Sequence, residues 1–347
     1  MIKPQKLRAG DKVAAVTLSW GGPGTFPHRY EAGKRQLQET FGLTVVEMAH
    51  TLHDDAWLHD HPQARADDLM QAFLDPEIKA IISTIGGDDS IRLLPYLDLD
   101  VMRDNAKIFM GYSDTTICHM ACFKAGLVSF YGPAIMAGFG ENGGLFPYMV
   151  DSVREMLFSS APAGPVLPNE DGWTVELLDW ADADKQSQKR RLNPCGGWRF
   201  LQGRDVHRGP LIGGCFSVLD WLRGSDFWPD LETWRGAILF LETDEDAPPP
   251  EVVKYRLRTY AALGILQQLS GILFGRPGGQ IDPQTFSQYD DVLRLVVAEE
   301  EGLVDLPIIT QMDFGHTDPM FVLPYGVQAE IDYDNRQFSI TENAVID

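Results

Sequence analysis

The sequence predicts an α/β fold in two domains, on three observations. The chain has 347 residues, and at roughly 150 residues per domain this length favours two domains that share an interface. Short apolar runs alternate with helix-period segments in the first half, which is typical of parallel strands joined by crossover helices. Apolar residues make up 44% and charged residues 23%. These ordinary values exclude disordered, collagen-like and fibrous chains.

The first half of the chain predicts five parallel strands with helices between them. Gly42 and Gly126 directly follow two of these helices and act as their C-terminal stops. The predicted strands are Val13–Leu18, Leu43–Met48, Ala80–Ile85, Lys107–Gly111 and Val128–Tyr131. The predicted helices are His28–Phe41, Pro62–Leu74, Asp88–Tyr96 and Asp114–Lys124, with a further helix at Pro147–Phe158.

The second half begins after a proline-rich stretch, Ala161–Pro168, and an irregular polar segment, Glu170–Arg208. The stretch AEIDYDNRQFSIT alternates around Asp334 and Asn335 and predicts a terminal hairpin. The strands predicted between them are Pro210–Gly213, Ala237–Glu242, Gly271–Gly275 and Pro307–Asp313, and the helices are Glu251–Leu266 and Thr285–Glu301. We therefore place an N-terminal α/β domain at residues 1–160, a linker and irregular segment at 161–208, and a C-terminal domain at 209–347.

Charge and cysteine content restrict the partners and the compartment. The formal net charge of -21 repels phosphate backbones and anionic lipid heads, so nucleic acid and membranes are not expected as partners. The first twenty residues lack the pattern of a secretory signal, and no apolar run approaches the roughly 18 residues of a membrane span. The four cysteines form no metal-type spacing. We expect reduced thiols and a cytoplasmic protein.

The most informative motif is FMGYSDTT, in which an apolar strand ends at Gly111 and a helix begins just after Ser113. A serine on such a sharp strand-to-helix turn exposes its hydroxyl at the carboxyl end of a parallel sheet, next to a helix N-terminus that can stabilise an oxyanion. The pattern is Gly-x-Ser-x-Thr and only related to the hydrolase elbow. A serine that merely caps the helix is the alternative.

A glycine pair, Gly86 and Gly87, follows the strand predicted to lie beside Ser113. Glycines there allow a tight turn and a close approach of a backbone N–H to a ligand, at the edge where open parallel sheets bind ligands. A simple turn before the next helix is the alternative reading.

A nucleophilic serine needs a base and an acid that orients it. His316 follows an apolar strand and a glycine, and Glu242 ends another apolar strand. Ser113, Glu242 and His316 give the chain order serine, acid, histidine. Spacing does not show that they meet, and a loop histidine with an ion-paired glutamate remains the alternative.

Two other segments contain residue types found in metal sites or nucleotide-binding loops. The stretch HTLHDDAWLHDHP, residues 50–62, gathers metal-ligand residue types, but it has no predicted helix or strand to fix their geometry, so a solvated loop is the favoured interpretation. SWGGPG, residues 19–24, lacks the lysine and hydroxyl of a P-loop and does not fit Gly-x-Gly-x-x-Gly. No metal and no cofactor are expected.

Five motifs in order, IGGDDSIRLLPYLD, FMGYSDTT, LIGGCFSVL, ILFLETDED and DFGHTDPM, together resemble the LD-carboxypeptidase family of serine peptidases. This family includes muramoyl-tetrapeptide carboxypeptidases and microcin C immunity peptidases. The resemblance implies a flavodoxin-like or amidotransferase-like N-terminal domain, a C-terminal domain with a β-barrel-like core, and a homodimer. It also implies a nucleophile at Ser113, an acid at Glu242, a base at His316, and oxyanion donors at the backbone N–H groups of Gly87 and Asp114.

The resemblance implies an amide-hydrolysing enzyme acting on a small peptide, either a muropeptide or a peptide joined to a modified nucleotide. Expected substrate contacts are Gly86, Arg92, chosen for its place behind the glycine pair, and Trp180, which could stack on a nucleobase or pack a domain seam. Cys215 stands where the family commonly has asparagine. A non-catalytic protein that binds a small ligand or peptide on the same scaffold is the alternative from another class.

Overall fold

The computed structural model describes residues 1–347 and has two sheets surrounded by helices. The strands are β1 Lys12–Val16, β2 Thr44–Glu47, β3 Ile78–Ser83, β4 Ile108–Gly111, β5 Phe130–Tyr131, β6 Gly164–Val166, β7 Arg199–Gln202, β8 Val206–Cys215, β9 Ile238–Glu242, β10 Gly271–Gly275, β11 Ile308–Met312, β12 Leu323–Pro324, β13 Gln328–Asp332 and β14 Gln337–Ile340. The helices are α1 Gly22–Thr25, α2 Pro27–Phe41, α3 Asp55–Asp60, α4 Pro62–Leu74, α5 Leu99–Asp104, α6 Thr116–Lys124, α7 Pro147–Phe158, α8 Phe216–Trp221, α9 Pro250–Ala262 and α10 Phe286–Arg294.

The first sheet has the strand order β12-β5-β4-β3-β1-β2. Its five N-terminal strands run parallel, and β12 from the far end of the chain adds to β5 in the antiparallel direction. The predicted parallel sheet is therefore confirmed. Its carboxyl edge carries the turns after β3 and β4, which hold the glycine pair and Ser113.

The second sheet has eight strands in the order β6-β14-β13-β8-β9-β10-β11-β7. Strands β8 to β11 run parallel at its centre, and the flanking strands are antiparallel. The terminal hairpin β13–β14 is confirmed. The expected barrel-like core takes the form of an open mixed sheet, because the end strands β6 and β7 do not pair with each other.

The two sheets share one apolar core, which contains buried residues from both. Tyr131 of β5 and Phe240 of β9 pack with ring centroids 5.6 Å apart across this seam. The carboxyl edges of both sheets therefore meet over a continuous, closely packed base. Segment 161–208, expected as a linker, contributes β6 and β7 to the two ends of the second sheet. The domain boundaries remain a prediction.

Several short helices were not predicted. Residues 50–62 were expected to form a loop, but Asp55–Asp60 is helix α3, begun by Asp54, whose carboxylate accepts from the Trp57 amide. The segment predicted as the helix Asp88–Tyr96 is a 3₁₀ helix at Ser90–Tyr96 with Pro95 inside it. Helices of about one turn lack a full apolar period, so the pattern does not reveal them. None of the helices combines the length and apolar character of a membrane crossing.

Candidate active site

Ser113 lies on a sharp turn between β4 and α6. Its φ of 61° is in the left-handed region, which is unusual for a residue with a side chain and is sustained only where the surroundings enforce it. Three contacts hold the turn: the Ser113 amide donates to the Tyr131 hydroxyl at 3.1 Å, Thr116 Oγ1 donates to the Ser113 carbonyl at 2.7 Å, and the Cys215 amide donates to Thr116 Oγ1 at 3.1 Å. Ser113 is therefore fixed from both sheets.

The glycine pair lies directly against this turn. A Cβ built on Gly86 would come within 2.9 Å of the Ser113 Cβ and 3.0 Å of its Oγ, so a side chain at Gly86 would crowd the serine. Gly87 has φ 139°, and its amide makes no hydrogen bond within the protein. A free amide beside the serine is a donor available to a ligand.

The Asp114 side chain anchors the glycine loop to the serine turn. Its fully buried carboxylate accepts hydrogen bonds from the amides of Asp89 at 3.1 Å and Ser90 at 2.9 Å, and from Ser90 Oγ at 2.7 Å. Desolvation by burial raises the pKa of this carboxyl above its ordinary value, although these hydrogen bonds oppose the rise. Sequence reasoning assigned a role to the Asp114 backbone amide and missed the anchoring role of its side chain.

Glu242 and His316 are in direct contact. Glu242 is the last residue of β9 and fully buried, and its Oε2 lies 2.7 Å from His316 Nδ1. Two glycines make the room: a Cβ on Gly275 would lie 2.9 Å, and one on Gly315 2.6 Å, from the Glu242 Cβ. A carboxylate on Nδ1 holds an imidazole in the tautomer whose Nε2 is free to take a proton.

The loop that carries His316 is anchored by a second buried carboxylate. Asp313 is fully buried, and it accepts hydrogen bonds from Arg276 and from Trp198 Nε1, each at 2.7 Å, and from the Asn169 amide at 3.0 Å. The imidazole of His316 packs on the ring of Tyr112, the residue before Ser113, with centroids 5.0 Å apart. These contacts fix the position of the loop relative to the serine turn.

Tyr131 joins the serine turn to the carboxylate–imidazole pair. Its buried hydroxyl accepts from the Ser113 amide and donates to Glu242 Oε1 at 2.5 Å. Ser113, Glu242 and His316 thus belong to one connected group of residues at the meeting edges of the two sheets. Sequence reasoning missed this role of Tyr131, because a tyrosine in an apolar run is typical of any buried strand.

Nε2 of His316 is held by a different carboxylate. Glu245 Oε2 lies 3.0 Å from it, and no hydrogen bond joins His316 to the Ser113 hydroxyl. Burial alone would lower the pKa of His316, but the attraction of Glu242 and the hydrogen bonds that the imidazole donates to both glutamates raise that pKa well above its ordinary value of 6.5. The hydrogen bond from His316 in turn lowers the pKa of Glu245 to about 2.

The expected substrate contacts lie at two places around this group. Trp180 stacks on Trp20, with ring centroids 6.4 Å apart, and the Arg29 guanidinium lies 4.6 Å from its ring centroid. The Trp20 amide donates to the Gly86 carbonyl, which ties the aromatic pair to the glycine loop. Arg92 is bonded to the His59 carbonyl at 2.7 Å and to Asp89 at 3.0 Å, and it contacts none of Ser113, Glu242 and His316.

The other histidines and the cysteines have environments typical of structural residues. His119 is fully buried between Ser129 Oγ and the Gly111 carbonyl, and desolvation lowers its pKa to about 3, so it is a neutral core histidine. The rings of His53 and His61 stack on the two faces of Trp57. All four cysteines carry free thiols.

Comparison with known proteins finds matches over nearly the whole chain. Residues 13–132 match the LD-carboxypeptidase N-terminal domain, and residues 208–331 match the LD-carboxypeptidase C-terminal domain. A putative carboxypeptidase of Vibrio cholerae is 30% identical over 99% of both chains, and the microcin C7 self-immunity protein MccF of Escherichia coli is 30% identical over 97% of this chain and 94% of its own.

A solved structure of an MccF-like protein from Streptococcus pneumoniae, in complex with AMP, superposes with a TM-score of 0.86 at 30% identity, covering 96% of this chain and 99% of that one. The two matched domains contain Ser113 on one side and Glu242 and His316 on the other. These matches favour an enzyme over a non-catalytic binding protein.

Proposed function

Because this chain belongs to the LD-carboxypeptidase family and is a serine peptidase, we propose that Ser113, Glu242 and His316 are its catalytic triad and hydrolyse an amide near the C-terminus of a small substrate. The observation that carries the proposal is the buried Glu242–His316 pair, joined through the Tyr131 hydroxyl to the backbone of a serine at φ 61°. A conformation this unusual, linked to an oriented imidazole, fits a nucleophile better than a helix cap.

In the proposed reaction, Ser113 Oγ attacks the scissile carbonyl while His316 Nε2 takes the hydroxyl proton. Glu242 keeps the Nδ1 proton in place and stabilises the imidazolium that forms. His316 then gives its Nε2 proton to the leaving amine, and water, activated by the same nitrogen, releases the acyl group from Ser113. For the first step, Nε2 must exchange its contact with Glu245 for the serine hydroxyl.

The oxyanion of the tetrahedral intermediate is proposed to bind the amides of Gly87 and Asp114. The Gly87 amide is free of any protein acceptor, and the Asp114 amide belongs to the residue directly after the nucleophile. Donors fixed before the reaction stabilise developing charge without reorganising, and each such donor is worth about 2.7–4 kcal/mol in the transition state. Gly86 is required because any side chain there would meet Ser113.

We propose a peptide–nucleotide conjugate as the substrate rather than a muropeptide. Two findings support this class: the similarity to a microcin self-immunity protein and to an MccF-like protein solved with AMP, and the Trp180–Trp20 pair adjoining the glycine loop. The aromatic rings of this pair are the groups on which we propose a nucleobase stacks, and base–aromatic stacking is worth about 1–3 kcal/mol per base. Arg92 stays a weaker candidate contact, since Asp89 and His59 already hold it.

A product assay tests this function. The purified protein is incubated separately with a peptidyl sulfamoyl adenosine and with a muropeptide, and the products are weighed by mass spectrometry. We expect release of the sulfamoyl nucleoside from the first compound and none with Ser113→Ala. Release of a terminal D-amino acid from the muropeptide alone would assign the other substrate class, and turnover by Ser113→Ala would remove Ser113 from the mechanism.

We further propose that the enzyme is a cytoplasmic homodimer. The family resemblance supports the dimer, and four free thiols fit a reducing compartment. Light scattering coupled to size-exclusion chromatography measures the mass directly. A mass near twice 38.7 kDa is expected, and a monomer at all concentrations would contradict the dimer.

A further inference from the structure

Glu245 contacts Nε2 of His316, the atom on which the proposed reaction depends. Its Oε2 is 3.0 Å from Nε2, while Glu242 holds Nδ1 at 2.7 Å, so the imidazole lies between two carboxylates. An imidazole in this position carries protons on both nitrogens and is unable to accept another. The contact therefore blocks the general base as long as it persists.

No lysine or arginine lies within ion-pair distance of the Glu245 carboxylate; its one charged partner is His316. The two arginines that bond to the His316 loop are already paired with carboxylates. Arg190 bonds to Glu141 and Asp318, and Arg276 bonds to Asp313. If Glu245 leaves His316, the site offers it no other cation, and a cation from the substrate is the remaining partner of opposite charge.

The backbone beneath Glu245 is fixed, but its side chain is not. The Gly278 amide donates to Thr243 Oγ1 at 3.0 Å, and a Cβ on Gly279 would lie 2.7 Å from the Glu245 carbonyl, so the two glycines pack closely under this loop. The Glu245 side chain itself is 73% exposed. A carboxylate on a held backbone with open space around it can turn from one partner to another at little cost.

We propose that Glu245 is a specificity-determining residue that selects substrates with an ammonium group on the residue supplying the scissile carbonyl, an inference that rests on the proposed function. Binding of that ammonium draws Glu245 from Nε2, and the Nε2 proton, no longer stabilised by a second carboxylate, passes to water. Nε2 is then free for the Ser113 hydroxyl. Recognition of the cation and activation of the base are one event.

An anionic substrate residue at the same place is neither bound by Glu245 nor able to activate His316. It repels Glu245, and it provides no partner that would draw Glu245 away from His316. A neutral residue is intermediate, because Glu245 then leaves only by exchange with solvent. The order of preference is therefore cationic, neutral, anionic.

The test uses three matched compounds: the N-acetyl-lysyl, N-acetyl-norleucyl and N-acetyl-glutamyl sulfamoyl adenosines. We expect kcat/KM of the wild-type enzyme to favour the lysyl over the glutamyl compound by at least about tenfold, the size expected for one ion pair. In Glu245→Gln the ratio falls below about threefold, since the charge that discriminates is gone. Asp246→Asn, which removes an exposed charge one residue along, is the matched control and retains the wild-type ratio.

Two further measurements do not need turnover. Ser113→Ala should bind the lysyl compound about tenfold more tightly than the glutamyl compound by calorimetry. A small neutral serine-directed phosphonate should label Ser113 several-fold faster in Glu245→Gln than in Asp246→Asn at neutral pH. In Glu245→Gln, no second carboxylate holds Nε2 of His316.

The outcomes separate this inference from the proposed function. If the wild-type enzyme cleaves all three compounds at equal rates, the selection by Glu245 is wrong and the function stands. If no compound is cleaved, the function fails, and the binding and labelling ratios decide the role of Glu245 by themselves. If Glu245→Gln and Asp246→Asn are labelled at equal rates, the inference that Glu245 blocks Nε2 of His316 is wrong.

Discussion

The serine side of the site and the histidine side differ in how their polar groups are held. Around Ser113 the backbone and the Asp114 carboxylate bond to protein atoms that are themselves buried. Around His316 one nitrogen is held by the buried Glu242, but the other is held by Glu245, whose side chain is largely exposed. The nucleophile is built to stay in place, whereas the base is built to change its partner.

Ser113→Ala, a change on the serine side, is expected to have the largest effect on kcat. We expect kcat to fall by about 10⁴-fold or more, because members of a triad act as one unit and the remaining catalysis comes only from binding and the oxyanion donors. Product release from a peptidyl sulfamoyl adenosine measures it, with thermal unfolding to confirm an intact fold. Near-native turnover would show that the serine side is not the nucleophilic side.

Asp114→Ala tests how firmly the serine side is held. The change removes the oxygen that accepts from the amides of Asp89 and Ser90, which leaves these buried donors unpaired. We expect the free energy of unfolding, measured in urea, to fall by about 2–4 kcal/mol. The same change at the exposed Asp246 should cost less than about 0.5 kcal/mol. Equal costs at the two sites would contradict a firmly held serine side.

Tyr131→Phe removes the hydroxyl that joins the two sides. We expect kcat to fall about ten- to hundredfold while KM changes little, since a hydrogen bond to a charged group is worth about 1.5–3 kcal/mol. Tyr333→Phe is the matched control, because it removes a hydroxyl that donates to the Phe200 carbonyl at 3.1 Å, in strand β7 at the end of the second sheet. If kcat falls as far in the control as in Tyr131→Phe, the Tyr131 hydroxyl has no special role in joining the two sides.

The pH dependence tests the exchange on the histidine side. The pKa of His316 is raised above 6.5 by two carboxylates, and a general base must be neutral, so the acid limb of the kcat/KM profile should lie at a higher pH than for an ordinary histidine. Glu245→Gln should move this limb to lower pH. The stability that His316 contributes is complete below its unfolded pKa and is lost as pH rises through the raised folded pKa. A limb unchanged by Glu245→Gln would contradict the contact in solution.

The sequence allowed prediction of the parallel sheet and of the serine turn, because apolar runs and glycines determine both locally. It also suggested Glu242 and His316, since each follows an apolar run, but their contact depends on how the two sheets meet and leaves no trace in spacing. Tyr131 was missed because it reads as a core residue. Glu245 was missed because TDED offers three acids that the pattern does not distinguish.

The joining of the two sides is tested most directly by labelling with a serine-directed phosphonate, followed by mass spectrometry of the peptides. We expect an adduct on Ser113 in the wild-type enzyme, a strongly reduced rate with His316→Ala, and no adduct with Ser113→Ala. Labelling of Ser113 at the same rate without His316, or an adduct on another residue alone, would contradict a triad formed between the two sheets.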